Sequence, residues 1–372
     1  SNFSGSSGTI IIDTINASNV SFTGDLVVSS HQTTTSEMHY LTINTTGDFT
    51  LSEYAQIDNE GRGLAPRRIG NNEDMTINEV ALKYLGPGKD NHVNGSNATY
   101  YGGFGCGVGG HANYNINYLS ESNTSVSYVD FTNPLTLGGG SQRTQSNKFG
   151  GGGVKLRASG NCFFKDSSYI NVNGEDTAGA GFINIECNKI GGHHLGNVFR
   201  ANGGASVYDN NTSAGYRYKS AASGGGGCTR LKANSGGFSD SFTLPKSQSE
   251  LQSSFLNLIS VKGGERRRVN NSKILGAGGS GVIYLEDSSS GGLKKHLIVP
   301  SRDLYTSDKL HLLNGYTSLN LNSSSLSLDT LDLEGGAVVK IVKGNLCANS
   351  SLSSGEVDIK LNGVLVEGVD GK

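Results

Sequence analysis

Apolar residues along this chain come in short alternating runs, not in the i, i+3, i+4 spacing of helices. From Thr9 to Ser52 the runs are TIIIDTI from Thr9, NVSF from Asn19, DLVVSS from Asp25, YLTIN from Tyr40 and DFTLS from Asp48. They recur about every ten residues, which is the spacing of a strand plus a turn. The same texture returns from Leu310 to the end in LHLL, YTSLNLN, SLSLDTLDL, AVVKIVK and EVDIKLNGVLVEG. Successive side chains in a strand point to opposite faces, so both ends of the chain read as β-structure with one apolar face.

The middle has a different signature. Four glycine clusters each lead straight into a β-run: GGGGVKLRA at 150–158, GAGFINIEC at 179–187, GGGGCTRLKA at 224–233 and GGSGVIYLED at 278–287. Val154, Leu156 and Ala158 alternate with Lys155 and Arg157, and Ile183, Ile185 and Cys187 with Asn184 and Glu186, so one face of each run should turn inward and the other should meet water. Between them lie further strands, YINVNG from Tyr169 and NVFRANGG from Asn197. A repeat too small to bury its own apolar face must stack on its neighbours. The expected fold is therefore all-β: a single-stranded parallel β-helix, or β-solenoid, right-handed and with decorating loops. Glycine serves at its corners, where φ is positive or backbone passes close to the rung below. A tandem of β-sandwiches is the second choice, and a propeller is disfavoured because no regular four-strand period is visible.

One segment breaks the pattern. SQSELQSSFLNLIS from Ser247 offers a capping box, Ser247 to Glu250, with Leu251, Phe255 and Leu258 on one face, and predicts a short helix on the outside of the coil. The stretch 61–110 reads as a long decorating excursion, and no Pro/Ser-rich linker divides the chain, so 1–372 is expected to form a single elongated domain.

Composition narrows the function classes. Glycine supplies 55 of 372 residues, about twice the usual share, while only 17% are charged and tryptophan is absent. With alanine, glutamate, lysine and methionine scarce, helix-rich folds are poor choices. A net charge of −2 and a pI near 6.4 give no electrostatic footprint for nucleic acid. No apolar run is long enough to span a membrane, and Ser1 to Gly8 lack the basic start and apolar stretch of a signal peptide, so the sequence is expected to begin mid-protein or after processing.

Of the five cysteines, Cys106, Cys162, Cys187 and Cys228 are the disulfide candidates. Cys162 and Cys187 are close enough to sit on neighbouring turns of a repetitive structure, Cys106 and Cys228 both lie in glycine tracts, and no zinc-finger spacing occurs, so one or two disulfides or buried free thiols remain open. Sequons begin at Asn2, Asn16, Asn19, Asn44, Asn94, Asn97, Asn123, Asn210, Asn211, Asn270, Asn322 and Asn349, more than chance would place. Together these features tilt toward a secreted eukaryotic protein.

The order of features resembles that of the large glycine-rich extracellular β-helix proteins of protists and some bacteria, which have pectin-lyase-like folds. The stretches that carry the resemblance are AQIDNEGRG at 55–63, YYGGFGCGVGGH at 100–111, SYVDFTNPLTLGGGS at 127–141, the four glycine-led strands, and FRANGG at 199–204. The resemblance covers Ser52 to Asp287 through low-complexity motifs. It implies a structural or adhesive part of a cell surface, appendage or extracellular fibre.

Enzymes on β-helices often cleave acidic polysaccharides, and glycoside hydrolysis needs two converging carboxylates. The pairs at Glu175/Asp176, Glu286/Asp287 and Asp329/Asp332 are candidates, but strand neighbours diverge. The dense basic run at 265–268 reads as a solvated loop, and His193, His194 and Glu186 lack a recognisable ligand spacing. Tyr100, Tyr101, Tyr114, Tyr118, Tyr208, Tyr216 and Tyr218 gather in excursions, where they can shield glycine-rich backbone or stack on sugars, and Asn171, Asn173, Asn184 and Asn202 can form ladders along a coil. No catalytic set, metal-ligating set or cofactor is expected. The expected function is a structural or adhesive extracellular glycoprotein segment, carrying N-glycans and associating end to end with its own copies or adjoining segments, with cell-surface glycans as further partners. A polysaccharide-degrading enzyme and a phage or bacterial receptor-binding spike are the alternatives.

Overall fold

The computed structural model describes residues 1–34, 36–65, 99–101, 105–107, 109, 111–113, 130–143, 146–205, 223–244, 257–265, 268–269, 273–300, 315–334, 337–348, 351–353, 358–361 and 366–368. Among these residues the protein is all-β. Apart from a single 3-10 turn at Asp240–Phe242, every regular element is a strand, and the largest sheet, of 16 strands, is mostly parallel and not closed on itself.

Parallel pairing recurs at three registers. A first stack joins the starts of Phe3–Ile11 and Val20–Ser29 to Phe49–Leu51 and to the second halves of Gly153–Phe164, Phe182–Gly191 and Cys228–Phe238. A second joins the ends of Phe3–Ile11 and Val20–Ser29 to Gln56–Asp58, Tyr169–Asn171, Phe199–Arg200 and Ile259–Ser260. A third joins Thr14–Ala17, Leu41–Thr45, the first halves of Gly153–Phe164, Phe182–Gly191 and Cys228–Phe238, and finally Val282–Asp287. The chain visits the stacks in that order on each return. The passage from the second stack to the third carries most of the inserted chain, at 30–40, 59–152, 172–181, 201–227 and 261–281.

Inward-facing residues hold the stacks together. Ile15, Ile43, Leu156, Ile185, Leu231 and Leu285 are in register and buried, forming one aliphatic column. Beside it, Phe3, Phe22, Phe49, Phe164 and Phe199 form a chain of rings with successive centroids 6.1, 5.8, 6.0 and 5.0 Å apart. Edge-to-face and tilted contacts of this kind add roughly 0.5–1.5 kcal/mol each to the area they bury.

The outer face of the third stack departs from the simple inside/outside alternation. Phe182, Cys228, Val282 and Tyr284 point away from the first core, yet they are buried in a second one against Leu64, Cys106, Phe131 and Leu137. These last four residues, from the chain between Asp58 and Gly153, lie over this part of the sheet, so the face that alternation assigns to water is covered there.

The glycine tracts do not work mainly through positive φ, which among the described glycines occurs only at Gly8, Gly24, Gly61, Gly192, Gly237 and Gly291. They work through close approach. Gly179 donates to the carbonyl of Gly139 (2.9 Å), Ala180 to Gly225 (3.0 Å) and Gly181 to Val172 (2.9 Å), while Gly204 and Gly151 donate to the carbonyls of Ala178 (2.8 Å) and Gly179 (2.9 Å). Hydrogen bonds thus leave residues 178–181 toward five other segments, giving a bundle of extended glycine chains in place of a two-edged strand. Such contact requires backbones with no side chain between them.

After Val282–Asp287 the chain reverses. Lys294–Val299 pairs with it antiparallel, and Thr330–Leu333 and then Ser351–Ser353 continue parallel to Lys294–Val299. Alongside, Thr317–Leu328, Val338–Ala348, Asp358–Leu361 and Val366–Gly368 form a four-stranded parallel sheet in which Leu326, Leu346 and Val366 share one register, advancing 20 residues per step (326, 346, 366). The helix expected from Ser247 lies outside the described residues up to 256; its last residues, Ile259–Ser260, form a strand paired with Phe199–Arg200.

Candidate functional site

The most elaborate polar surface is the outer row of the third stack. Asn16, Asn44, Arg157, Glu186, Lys232, Glu286 and Lys295 are successive partners across seven strands, so the row changes from amides to alternating charge. Opposite charges directly across a strand pair stabilise the register. Glu186 lies 2.9 Å from Lys232, 3.5 Å from Arg157 and 3.6 Å from Arg230. Burial raises the Glu186 carboxyl, but Lys232 foremost, then Arg230 and Arg157, outweigh it and hold the group below the usual carboxylate range.

Beside this row, on the same face of the sheet, sits a buried hub. Asn184 accepts through Oδ1 from Arg157 Nη2 (2.9 Å) and Arg230 Nη1 (3.1 Å), and donates through Nδ2 to Asn133 Oδ1 (3.0 Å) and the Pro134 carbonyl (3.2 Å). Its amide therefore ties the sheet to the chain that covers the second core. Arg230 also bonds Glu286, and the two side chains are only 9% and 11% exposed. Removing either partner would leave a nearly buried charge, at a cost of about 3–5 kcal/mol.

Where the row passes from amides to charges it lines an open cavity of about 460 Å³, bordered by Asn16, Asn44, Arg157, Glu186 and Asn234. Its walls offer amide, guanidinium and carboxylate groups, a mixture of donors and acceptors beside the methyl groups of Ala17 and Ala158.

The sequence candidates fall around this frame as follows. Cys162 is bonded to Cys187 with Cα atoms 6.0 Å apart, and Cys106 to Cys228 at 5.3 Å. Cys162 lies opposite Ile190, three residues beyond Cys187, so that bond joins neighbouring returns of the chain at one corner. The other bond fastens the inserted segment to the third stack. Asn2, Asn16, Asn19 and Asn44 are exposed, and pair through their own amides: Asn19 Nδ2 donates to Asn2 Oδ1 (3.1 Å) and Asn44 Nδ2 to Asn16 Oδ1 (2.9 Å). Asn322 lies in the strand Thr317–Leu328, whereas Asn94, Asn97, Asn123, Asn210, Asn211, Asn270 and Asn349 lie outside the described residues.

Two of the carboxylate pairs are drawn to separate partners, and in the third only Asp329 has one among the described residues. Glu175 accepts from the Phe149 amide (3.0 Å) while Asp176 faces Lys148 (3.6 Å); Glu286 holds Arg230 while Asp287 accepts from the Ser289 amide (2.9 Å); Asp329 accepts from the Lys295 amide (2.8 Å) while Asp332 is buried. His194 is committed to structure: Gly196 donates to its Nδ1 (3.0 Å), which leaves Nε2–H to donate to the Ser168 carbonyl (2.7 Å). His193 is exposed. Arg266 and Arg267 of the basic run, and Tyr114, Tyr118, Tyr208, Tyr216 and Tyr218, lie outside the described residues, as do the side chains of Tyr100 and Tyr101. Of the four asparagines expected to form a ladder, Asn171, Asn173 and Asn202 join at the corner after the second stack, whereas Asn184 sits apart in the third stack. Asn171 donates to Glu60 Oε2 (2.8 Å) and accepts from the Asn173 amide (3.1 Å), Asn173 accepts from the Asn202 amide (2.7 Å), and Asn202 from the Lys262 amide (2.9 Å).

Two features escaped sequence reasoning. Asn59, fully buried, accepts from the Ser30 amide (2.8 Å) and donates to the Gly153 carbonyl (2.9 Å), bridging three returns of the chain. Asp13, His31 and His39 converge at the corner between the second and third stacks, although their sequence spacing matches no ligand motif. Only the vertical register brings such residues together. Among the described residues no helix is long and apolar enough to cross a membrane. No protein-family model, curated protein or solved structure matches this chain.

Proposed function

We propose that the chain is a right-handed parallel β-helix serving as a structural or adhesive element of an extracellular glycoprotein, as a subunit or segment of a surface filament. The observation that carries this reading is the return of the chain to the same three registers from Phe3 to Asp287. A stack of this kind grows by adding rungs and presents long, regular side faces, properties of a spacer or fibre. The charged groups of its outer row, Arg157, Glu186, Arg230, Lys232 and Glu286, are engaged with one another, which fits a scaffold better than a reaction centre.

Three further features support the reading. Two disulfides fit an oxidising compartment. Four exposed sequons on the first returns can carry glycans, and a glycosylated asparagine keeps one amide N–H, so the Asn44 to Asn16 bond is compatible with sugar on Asn44. Among the described residues Phe3–Ile11 pairs only with Val20–Ser29, and Thr14–Ala17 only with Leu41–Thr45, so both offer a free edge to another parallel strand. A copy of the chain or an adjoining segment would stack there. The cavity beside Asn44 and Arg157 supplies the donors and acceptors that a cell-surface glycan would engage.

The test is intact mass on protein from its natural source, with and without N-glycan removal and reductant, followed by electron microscopy of the native material. Carbohydrate at several sequons, two disulfides and linear assemblies are expected. A bare polypeptide with reduced cysteines would discard the extracellular reading in favour of the spike or the polysaccharide-degrading enzyme.

A further inference from the structure

We propose that Asp13, His31 and His39 form a binding site for a divalent transition-metal ion of the zinc class, which staples two successive returns of the chain at their shared corner. Asp13 lies between the strands Phe3–Ile11 and Thr14–Ala17. His31 and His39 flank the loop that makes the same passage one return later, after Val20–Ser29 and before Leu41–Thr45. The stacking register, through Ile11 opposite Ser29 and Thr14 opposite Thr42, therefore sets the carboxylate beside both imidazoles.

The geometry is close to that of a coordination sphere. Asp13 Oδ2 lies 2.8 Å from His39 Nδ1 and 3.2 Å from His31 Nδ1, and one ligand atom from each residue falls within 4.8 Å of the other two. Around a tetrahedral zinc ion with bonds of about 2.0–2.1 Å, neighbouring ligand atoms stand about 3.3 Å apart. Small side-chain rotations suffice to admit the ion. Two imidazoles and one carboxylate are a borderline-soft set that suits zinc, nickel or copper over calcium or magnesium.

The surroundings already orient the ligands. The His31 amide donates to Asp13 Oδ1 (2.9 Å), leaving Oδ2 to face the imidazoles. The buried Thr33 hydroxyl accepts from the His39 amide (3.1 Å) and donates to the His39 carbonyl (3.1 Å), fixing the backbone from which that imidazole projects. With Nδ1 given to the metal, the proton of each imidazole resides on Nε2. For His39 that nitrogen lies 3.4 Å from Glu37 Oε2, the outer carboxylate that commonly steadies a ligating histidine. The His31 side chain is 58% exposed, so the ion keeps an open position toward solvent, available to water or to a carboxylate or imidazole of a partner.

The test uses the full chain with its disulfides intact, freed of metal by a chelator. Cobalt(II) titration should give the visible absorption of a four-coordinate site, saturating at one equivalent and bleached by zinc, and zinc should raise Tm. His39→Ala, Asp13→Asn and His31→Gln should each weaken binding by at least ~10-fold, the range in which even outer-sphere partners act, and should remove the Tm gain. His193→Gln, at an exposed site elsewhere, should change neither readout. His31→Gln decides the matter if the other two variants misfold by circular dichroism, because its ring lies mostly in solvent. Absence of binding to the wild-type chain, or affinity indifferent to these substitutions, would overturn the assignment. It does not rest on the filament reading, since a site on a monomeric enzyme or spike would give the same titration.

Discussion

At residue scale, glycine and buried charge set the tolerances. A Cβ placed on Gly181 would lie 1.6 Å from the Gly152 carbonyl oxygen and 2.6 Å from that of Gly151, with backbone on both sides that cannot retreat. Gly181→Ala is therefore expected to cost more than ~3 kcal/mol, at or beyond the upper end of ordinary overpacking. Gly292→Ala, where nothing lies within 4 Å, should stay within about 0.5 kcal/mol. Equal urea midpoints for the two variants would refute the close-packed bundle. Asp332 makes the opposite kind of prediction. Burial, aided by the neighbouring Glu334 charge, pushes its carboxyl from 3.8 up to about 6, and among the described residues neither oxygen has a hydrogen-bond partner. A raised folded-state value means that the native state binds the extra proton. This contribution is complete below the unfolded value of 3.8 and is lost as pH rises through about 6. Asp332→Asn should thus stabilise the protein at pH 7.5 by on the order of 1–3 kcal/mol and do little near pH 4. Identical gains at both pH values in denaturant titrations would show that the carboxyl is not charged and buried.

At the scale of elements, the two disulfides have different duties. Cys162–Cys187 closes a loop of 25 residues at a corner between neighbouring returns, with both cysteines fully buried. Cys106–Cys228 spans 122 residues and anchors inserted chain over the outer face of the third stack. Replacing Cys162 and Cys187 together by serine should lower global stability by at least ~3.5 kcal/mol, the loop-closure contribution alone, with two poorly solvated hydroxyls adding to it. Replacing Cys106 and Cys228 should chiefly expose the second core, read as dye binding and as faster proteolysis of the inserted segment while the aliphatic column of the first core stays protected. If the two double variants behave alike in both assays, the division of roles fails.

At the scale of the whole molecule, the free edges, the glycine bundle and the reversal after Val282–Asp287 show which levels of organisation local sequence can encode. Alternation named the strands around Val154, Ile183, Cys228 and Val282 and the inward sets Val154, Leu156, Ala158 and Ile183, Ile185, Cys187, because a strand's two-residue period is a local property. Glycine density was legible as backbone crowding, and the four cysteines as bonding candidates, since few other residues meet those needs. What the outer row would face was not legible. Phe182 and Tyr284 occupy positions that alternation sends to water, and they are buried because distant residues such as Phe131 and Leu137 lie over them. Likewise Asn59, Asn184 and the Asp13, His31, His39 cluster carry no spacing signal: their partners are set by insertions of unequal length between successive returns, from two residues to more than ninety. Sequence alone therefore determined strand character, the inward face and the demand for glycine. The tertiary structure alone decided register, the second core and the polar constellations around Asn59, Asn184 and Asp13, because long-range stacking is fixed by how the returns pack and not by any period along the chain.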